Sequence, residues 1–339
     1  MNSRNFCRYF LGTLTIIFCA SVAAQIIDTK KAAPKPLFDD PVFHGAADPV
    51  IIYNRNKQRW WMFYTNRRAT LDDTTGVAWV HGTRIGIAES QDGKTWTYKD
   101  TANINYRPDK GYTFWAPDVI EDRGIFHMYL TYVPGVFVDW NHPRMILHLT
   151  STDLLNWKYE STLKLVNDKV IDASVFQLQD GNWRMWYNNE KDGKSIYYAD
   201  SKDLFTWQDK GKAIAARGEG PKVFRWHNIY WMIVDVWKGL ELYQTDDLLK
   251  WKKQSERILE QPGKGPDDQA IGGHCDVVVN NNRAFVFYFT HPGRTKDVPG
   301  GKNNFDVKRS VIQLAELNYT NGTITCNRDE PVNIQLRAN

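Results

Sequence analysis

Arg59-Trp-Trp-Met-Phe-Tyr-Thr-Asn66 is an aromatic segment typical of a buried β-strand, and segments like it recur four more times along the chain. The other four are Ile125-Phe-His-Met-Tyr-Leu-Thr-Tyr132, Asn182-Trp-Arg-Met-Trp-Tyr-Asn-Asn189, Asn228-Ile-Tyr-Trp-Met-Ile-Val-Asp235 and Arg283-Ala-Phe-Val-Phe-Tyr-Phe-Thr290. A motif that recurs in a fixed order every few tens of residues indicates a solenoid or a propeller.

A polar turn motif follows each of the first four aromatic segments. It consists of Ser or Thr, Asp two residues later and Trp four residues further, at Ser90/Asp92/Trp96, Ser151/Asp153/Trp157, Ser201/Asp203/Trp207 and Thr245/Asp247/Trp251. The short polar side chains are expected to satisfy backbone groups of the turn, while the Trp packs between strands. The segment from Arg309 to Leu317 resembles a degenerate fifth copy.

A polar residue followed by an apolar strand precedes each aromatic segment. These leading residues are Asp48, Asp118, Asp172, Glu219 and His274. No helical periodicity of useful length competes, so the sequence predicts an all-β fold, a five-bladed β-propeller with four strands in each blade. The first strand of a propeller blade lines the central axis, and the leading residues are therefore expected to face one common mouth.

Carboxylates dominate this predicted mouth. Asp48, Asp172 and Glu219 stand out by their context, and Asp118 is expected at the same repeat position. Carboxylates that converge in one pocket repel each other, which raises at least one pKa and retains a proton for general acid catalysis. Glycoside hydrolysis needs such a proton donor together with a base or a nucleophile. The alternative is that each residue only caps backbone amides at the start of a strand.

The leading motifs resemble those of glycoside hydrolase family 43, whose members are five-bladed propellers. The resemblance covers nearly all of the chain after its first segment and rests on Ala47-Asp48-Pro49, Trp115-Ala-Pro-Asp118, Ile171-Asp172, Gly218-Glu219-Gly-Pro221 and Gly273-His274. It implies that Asp48 is the general base, that Asp172 tunes the acid and orients the sugar, and that Glu219 is the general acid. It also implies inversion at the anomeric carbon and a β-xylosyl or α-L-arabinofuranosyl substrate.

The same resemblance bears on metal binding. His274 is similar to a family histidine near the pocket floor, often beside a calcium ion or waters on the propeller axis. No cofactor is expected to be required, and a structural calcium ion is compatible with the pattern. One departure is that Ala173 follows Asp172, where many members have Pro. The subfamily, and with it the substrate, stays open.

Further candidates for substrate contact lie around the mouth. Trp115 is either a platform for a sugar ring or a core residue, and Arg294 and Arg309 are candidates to bind a hydroxyl, carboxylate or sulfate group. The long loop from Arg67 to Thr83 is expected to close one end of the pocket and to favour exo action.

The amino-terminal segment predicts export. Arg4 and Arg8 precede an apolar run from Phe10 to Ala20 and then small residues, as in a secretory signal peptide over residues 1–24. A lead-in over residues 25–44 and a catalytic propeller over residues 45–339 would follow, periplasmic or secreted. Lipidation at Cys19 is disfavoured because bulky Phe18 precedes it. The two remaining cysteines, Cys275 and Cys326, are equally compatible with a disulfide bond and with free thiols.

Composition excludes some partners. Removal of Arg4 and Arg8 would reduce the formal charge from +4 to +2, which is too small a net charge to attract nucleic acid or anionic lipid. No membrane span is expected, because no apolar run reaches the length that a spanning helix needs. An aromatic content of 14%, with 14 Trp, suits both a β-rich core and stacking on sugars.

The open alternatives are a non-catalytic carbohydrate-binding propeller and a glycosidase for another sugar, such as galactose or an algal anhydrosugar. Fructan-cleaving relatives are disfavoured because the chain lacks their Trp-Met-Asn-Asp-Pro and Arg-Asp-Pro motifs.

Overall fold

The computed structural model describes residues 32–72, 75–107, 111–295 and 304–338, and these residues form a five-bladed β-propeller. The prediction of an all-β fold is confirmed, since the helical elements within these ranges are one 3-10 turn at Ala78–Val80 and one short helix, α1, at Phe305–Lys308. The predicted signal peptide, residues 1–24, lies outside the described residues and stays a prediction, as does export.

Each blade is a meander of antiparallel strands. Blade 1 contains β1 (Ala46–Asn54), β2 (Arg59–Asn66), β3 (Arg84–Ser90) and β4 (Thr97–Thr101). Blade 2 contains β5 (Asn103–Ile104), β6 (Thr113–Asp122), β7 (Ile125–Val133), β8 (Met145–Ser151) and β9 (Asn156–Thr162), with the short β5 added parallel to β9. Blade 3 contains β10 (Val170–Gln177), β11 (Trp183–Asn189), β12 (Ser195–Ser201) and β13 (Trp207–Ile214). Blade 4 contains β14 (Glu219–Trp226), β15 (Ile229–Asp235), β16 (Leu240–Thr245) and β17 (Lys252–Lys253). Blade 5 contains β18 (Cys275–Asn280), β19 (Arg283–Thr290), β20 (Val311–Thr320) and β21 (Thr323–Cys326).

The first strands of the five blades form a closed ring around the axis. Strand β1 contacts β6, β6 contacts β10, β10 contacts β14, β14 contacts β18, and β18 contacts β1 again. The aromatic segments are the second strands, β2, β7, β11, β15 and β19, whose residues are almost all buried between neighbouring blades. The starts of all five first strands therefore meet at one end of the axis.

The predicted polar turns connect the third and fourth strands. In blade 2 the Ser151 hydroxyl accepts from the backbone N–H of Leu154 (2.9 Å), Asp153 accepts from Asn156 (2.7 Å), and the Trp157 indole donates to the Leu154 carbonyl (2.9 Å). Blades 1 and 3 repeat these three bonds, whereas in blade 4 Thr245 accepts from the N–H of Asp247 (3.2 Å) and Asp247 accepts from that of Lys250 (2.8 Å). Blade 5 replaces this turn with a tight hairpin at Asn321-Gly322, both with positive φ.

Side chains of each blade bond the backbone of the next blade in one rotational direction. At the ends of second strands, Thr65, Thr131 and Asp235 accept from the N–H groups of Ala116 (2.8 Å), Asp172 (3.0 Å) and His274 (2.8 Å), while Asn188 donates to the carbonyl of Gly218. Deeper along the axis, Asp118, Ser174 and Asp276 accept from Val175 (2.7 Å), Val223 (3.2 Å) and Ile51 (2.7 Å). Every junction between neighbouring blades thus has at least one buried polar link.

The described part of the predicted lead-in closes the junction between blades 1 and 5. Leu37 donates to the carbonyl of Ile312 (2.9 Å), and its side chain packs with Phe38, Ile334 and Leu336 in the same apolar cluster. The carboxyl-terminal segment joins in, because the N–H of Leu336 donates to the carbonyl of Asp92 (2.7 Å). Each blade is built from one continuous stretch of chain, so the two ends of the chain do not contribute strands to the same blade. Packing of the lead-in and of the carboxyl-terminal segment holds blades 1 and 5 together instead.

Within the described ranges, none of the helices has the length and apolar character that crossing a bilayer requires. Cys275 and Cys326 are free thiols in one apolar cluster, and burial raises the pKa of both.

Candidate active site

The three predicted catalytic carboxylates lie at the starts of β1, β10 and β14, where the five first strands meet. A register shift interrupts pairing directly at Asp48 and Asp172, and both residues adopt a left-handed backbone, with φ of 52° and 60°. Such bulges redirect side chains and are frequent beside active sites. Glu219 precedes the corresponding shift in blade 4, where Gly220 takes the left-handed position with φ of 58°.

The prediction that Asp118 shares the repeat position of Asp48 is wrong. Cross-strand pairing aligns Ile51, Val119, Val175, Val223 and Val277, each opposite the central residue of a second strand. Counting back three residues gives Asp48, Ala116, Asp172, Gly220 and His274, whereas one residue back gives Val50, Asp118, Ser174, Lys222 and Asp276. Asp118 therefore belongs to a second ring, deeper along the axis. The sequence comparison missed this because it aligned the acidic residues themselves, and Asp118 lies two positions further along its strand than Asp48 does.

Asp172 is the central carboxyl of the site. It is buried, and one oxygen accepts from the N–H of Gly220 (3.1 Å), the residue next to Glu219. Burial raises the pKa of Asp172 well above its ordinary value, and the charges of Glu219 and Asp48 raise it further. All three predicted carboxylates thus interact through space, which is what a single site requires.

Asp48 is oriented by a chain of groups from blades 1 and 5. Arg67 donates to Asp48 (3.2 Å) and, through its other terminal nitrogen, to Nε2 of His291 (2.9 Å). Nδ1 of His291 bonds the carbonyl of Arg309 (2.8 Å), which fixes the neutral tautomer with a proton on Nδ1. Burial and the charges of Arg294 and Arg67 lower the pKa of His291 well below its usual range. His291 therefore acts as a neutral acceptor that holds Arg67 against Asp48.

Glu219 lies among cationic and aromatic side chains. Lys194 contacts one oxygen of Glu219 (3.3 Å), and the indole N–H of Trp237 donates to the other (2.9 Å). Lys194 also pairs with Glu190 (2.7 Å), which pairs with Arg144 of blade 2 (2.7 Å). Burial alone would lower the pKa of Lys194, but the two glutamates raise it above its ordinary value. This network spans blades 2, 3 and 4 and fixes the position of Glu219.

Asp235 is a fourth carboxyl of the site, which sequence reasoning missed. It lies opposite Glu219 in the pairing of β14 with β15, and its oxygens accept from the N–H groups of Trp237 and His274 (2.8 Å each). Burial, followed by the charge of Glu219, raises the pKa of Asp235 to about 7. Other blades use Thr or Asn for the same link to the next blade, so an acidic residue at this repeat position was the available signal.

His274 lies between the carboxylates. Its Nδ1 is 3.7 Å from Asp48, and a Cβ atom at position 220 would lie 2.5 Å from its ring, so only glycine fits there. Burial lowers the pKa of His274, against the opposing effect of Asp48 and Glu219. His274 is therefore a largely buried imidazole beside Asp48 and Gly220, and its place at the floor of a sugar pocket stays a prediction.

The deeper ring contains a lysine at the place where the family resemblance suggests a calcium ion. The ammonium group of Lys222 contacts Asp118 (3.0 Å) and Asp276 (2.9 Å), and the remaining oxygens of both carboxylates accept backbone N–H groups. Within the described ranges, no group of three or more His, Cys, Asp or Glu residues could hold a metal ion. The donor set on the axis thus does not fit calcium, because a covalently attached cation already balances it. The two carboxylate oxygens of Asp118 thus contact Lys222 and the N–H of Val175, below the mouth.

Loops of blades 1 and 2 build a wall beside the mouth. The N–H of Val77 donates to the carbonyl of Val138 (2.9 Å), and the indole of Trp115 donates to the carbonyl of Val80 (2.6 Å). Trp115 is 9% exposed, since His81 and Trp140 cover its ring. Trp140 is 53% exposed and presents the more accessible aromatic surface at this rim. A sugar contact by Trp115 stays a prediction.

The two predicted arginines differ in their surroundings. Arg294 lies over the ring of Trp79 in the wall (5.6 Å), and burial together with nearby Arg67 lowers the pKa of Arg294 to about 10. Arg309 pairs with Asp39 and Asp267 (2.8 Å each), which ties the lead-in to blade 5. Arg294 is thus near the Asp48 side of the site, while Arg309 is engaged in structural ion pairs. Substrate contact by either residue stays a prediction.

Comparison with known proteins assigns the family. A model of the family 43-related glycosyl hydrolases, described as "Probable glycosyl hydrolase domain", matches residues 39–265. The chain belongs to this family. The matched range includes Asp48, Asp172, Glu219 and Asp235, and the family is one of glycosyl hydrolases.

Three individual proteins illustrate the relationship. A thermostable family-43 glycoside hydrolase superposes with a TM-score of 0.66 at 20% identity, covering 89% of this chain and 100% of that one. A family 43 β-xylosidase/α-arabinofuranosidase from a compost microbial metagenome, solved with xylotriose in a calcium-free form, superposes with a TM-score of 0.59 at 16% identity, covering 83% and 93%. A fructan β-fructosidase of Streptococcus mutans serotype c is 24% identical over 220 residues, which is 57% of this chain and 15% of that protein. Identities of this size support the shared fold, and the named substrates belong to those proteins.

Proposed function

We propose that this protein is an inverting, exo-acting glycosidase that removes terminal pentosyl residues, of the β-xylosidase or α-L-arabinofuranosidase type, from an oligosaccharide or polysaccharide. The observation that supports it most is the convergence of Asp48, Asp172 and Glu219, since the charges of Asp48 and Glu219 both act on buried Asp172. No cofactor takes part in this chemistry, which needs only carboxyl groups and water.

The proposed roles follow from the surroundings of each carboxyl. Asp48, oriented by Arg67, accepts a proton from the attacking water, while Glu219 protonates the departing glycosidic oxygen. Asp172 and Asp235 lie beside Glu219 with raised pKa values, so their mutual repulsion retains a proton within the cluster at neutral pH. Asp172 also accepts from the N–H of Gly220 and so connects the two sides of the sugar site.

Exo action is supported by the wall beside Asp48. The loop from Arg67 to Thr83 is bonded to the loop that carries Val138, and Lys308 in α1 donates to the carbonyl of Leu71. Three blades thus cover one side of the mouth, and a site closed on one side accepts a chain end. The partner in this proposal is a carbohydrate.

A panel of nitrophenyl glycosides tests the proposal. We expect the β-D-xyloside or the α-L-arabinofuranoside to be cleaved fastest, ahead of the β-D-galactoside and of sucrose or inulin, and we expect proton NMR to detect the inverted anomer first. Glu219→Gln should retain little activity on a substrate with a poor leaving group. It should retain more activity on a substrate with a good leaving group, because a good leaving group departs without being protonated. Equal losses on both would contradict the acid role.

The alternative is a carbohydrate-binding propeller without turnover. The charge cluster argues for catalysis, because a binding site gains nothing from a buried carboxyl with a raised pKa. Saccharide binding without hydrolysis of any glycoside in the panel would support the alternative.

A further inference from the structure

A second cavity lies beside the candidate active site, on the mouth end of blade 4. Its volume is about 490 Å³, within the range of about 300–1,000 Å³ that small-molecule sites occupy. Residues from the loops before β14 and after β15, together with β16 and the β17 region, line it: Ala216, Arg217, Val236, Trp237, Lys238, Glu241, Lys253 and Arg257.

Trp237 connects this cavity to Glu219. Its indole N–H donates to Glu219 (2.9 Å), while its ring, 37% exposed, forms part of the cavity wall. The backbone of Trp237 is left-handed, with φ of 56°, and its N–H donates to Asp235. A non-glycine residue held in this conformation indicates a constrained side-chain position. The cavity therefore begins one side chain away from the proposed proton donor.

The cavity carries excess positive charge. Four cationic side chains and one carboxylate line it, and that carboxylate, Glu241, pairs with Lys253 (2.5 Å) and Arg257 (3.4 Å). Arg217 lies over the ring of Trp237 (5.0 Å), and within the described ranges neither Arg217 nor Lys238 forms an ion pair with a carboxylate. Two cations thus border the cavity without a protein counter-charge.

We propose that this cavity binds an anionic substituent, a carboxylate or a sulfate, on the leaving-group side of the substrate. The inference rests on the proposed function, because a general acid protonates the bond to the leaving group and so defines on which side that group lies. A leaving-group sugar that extends past Trp237 reaches Arg217 and Lys238. Arginine donates to planar carboxylates and to sulfates in pairs of hydrogen bonds, which makes an acidic sugar the chemistry that this wall recognises. The natural substrate is accordingly an acidic glycan rather than a neutral one.

Direct binding tests the inference without requiring turnover. The probes are digalacturonate, a sulfated disaccharide and neutral xylobiose, measured by isothermal titration calorimetry at low salt with the full chain carrying Asp48→Asn, so that xylobiose is not hydrolysed during the titration. We expect at least one acidic disaccharide to bind about tenfold or more tightly than xylobiose, since a charge-assisted hydrogen bond is roughly twice as strong as a neutral one. Preference for digalacturonate assigns a uronate, and preference for the sulfated disaccharide assigns a sulfate. Equal affinity for all three would overturn the inference.

The double variant Arg217→Gln/Lys238→Gln should lower the affinity for the acidic disaccharide by about tenfold and leave xylobiose binding unchanged. Lys252→Gln is the matched control, because Lys252 is an exposed neighbour of Lys253 outside the cavity lining. An equal loss in the control would overturn the inference, since it would reflect general surface charge. If no glycoside in the panel is hydrolysed while the acidic disaccharide still binds through Arg217 and Lys238, the anion-binding role of the cavity is supported and only the proposed function fails.

Discussion

Asp235→Asn should change how the stability of the protein depends on pH. The pKa of this buried carboxyl rises from 3.8 to about 7 on folding, first through burial and then through the charge of Glu219. The unfolded chain therefore releases this proton at a lower pH than the folded protein does. The folded wild type loses stability progressively as the pH rises from about 4 to about 7, and the loss is constant above that range.

The magnitude follows from the pKa difference. One pKa unit corresponds to about 1.4 kcal/mol, so a difference of about three units sets an upper limit of about 4 kcal/mol on this loss. Asn keeps one acceptor oxygen, but its NH₂ group is a donor and cannot accept the second backbone N–H. The loss of this hydrogen bond lowers the free energy of unfolding by about 1–3 kcal/mol at every pH. The variant should therefore be less stable than wild type at low pH, and equally or more stable at pH 8.

Urea unfolding followed by tryptophan fluorescence, repeated from pH 4.5 to pH 8.5, measures this difference. Asp180→Asn is the control, because Asp180 is exposed and a backbone hydrogen bond from Asn182 lowers its pKa. Its difference from wild type should be constant above pH 5. If Asp235→Asn also keeps a constant difference from wild type across this range, the reasoning about Asp235 and Glu219 is refuted.

Three other substitutions test separate parts of the site. Asp48→Asn should lower kcat by about 10³-fold in the nitrophenyl assay with little change in Tm, because the change is nearly isosteric; a large fall in Tm would instead indicate a capping role. Lys222→Met should lower the free energy of unfolding by about 3–5 kcal/mol in urea titrations, since it leaves Asp118 and Asp276 buried without a cation, whereas EDTA should leave the wild-type Tm unchanged. Arg67→Lys should lower kcat/KM on the order of tenfold, because an ammonium group cannot hold the forked contact with Asp48 and His291; an unchanged pH–rate profile and activity would contradict its positioning role.

Local sequence patterns were sufficient to predict the architecture. The composition of the aromatic segments alone is typical of buried strands, and the Ser-x-Asp turns form through interactions within a few residues, as the bonds of Ser151 and Asp153 illustrate. Their fivefold and fourfold recurrence then predicts a propeller without knowledge of any long-range contact. The convergence of Asp48, Asp172 and Glu219 followed from the same repeat.

Register and long-range partners could not be predicted in this way. Asp118 lies two positions beyond the residue equivalent to Asp48, which is Ala116, and only the strand pairing shows that it belongs to the deeper ring. Arg67, Lys194 and Lys222 contact Asp48, Glu219 and Asp118, which are 19, 25 and 104 residues away, and a single sequence does not indicate such pairs. Trp237 is equally hidden, since its role follows from a left-handed loop residue reaching Glu219.

The polar links made by side chains of the first and second strands, such as Thr131 to Asp172 and Asp276 to Ile51, have the same sense around the axis. A blade is consequently not a freely exchangeable module. A transplanted sheet would have to supply an acceptor matched to its successor and an amide matched to its predecessor. Design or recombination within this scaffold is thus constrained by the interfaces, and half of one blade joined to half of the next is the more natural unit of exchange.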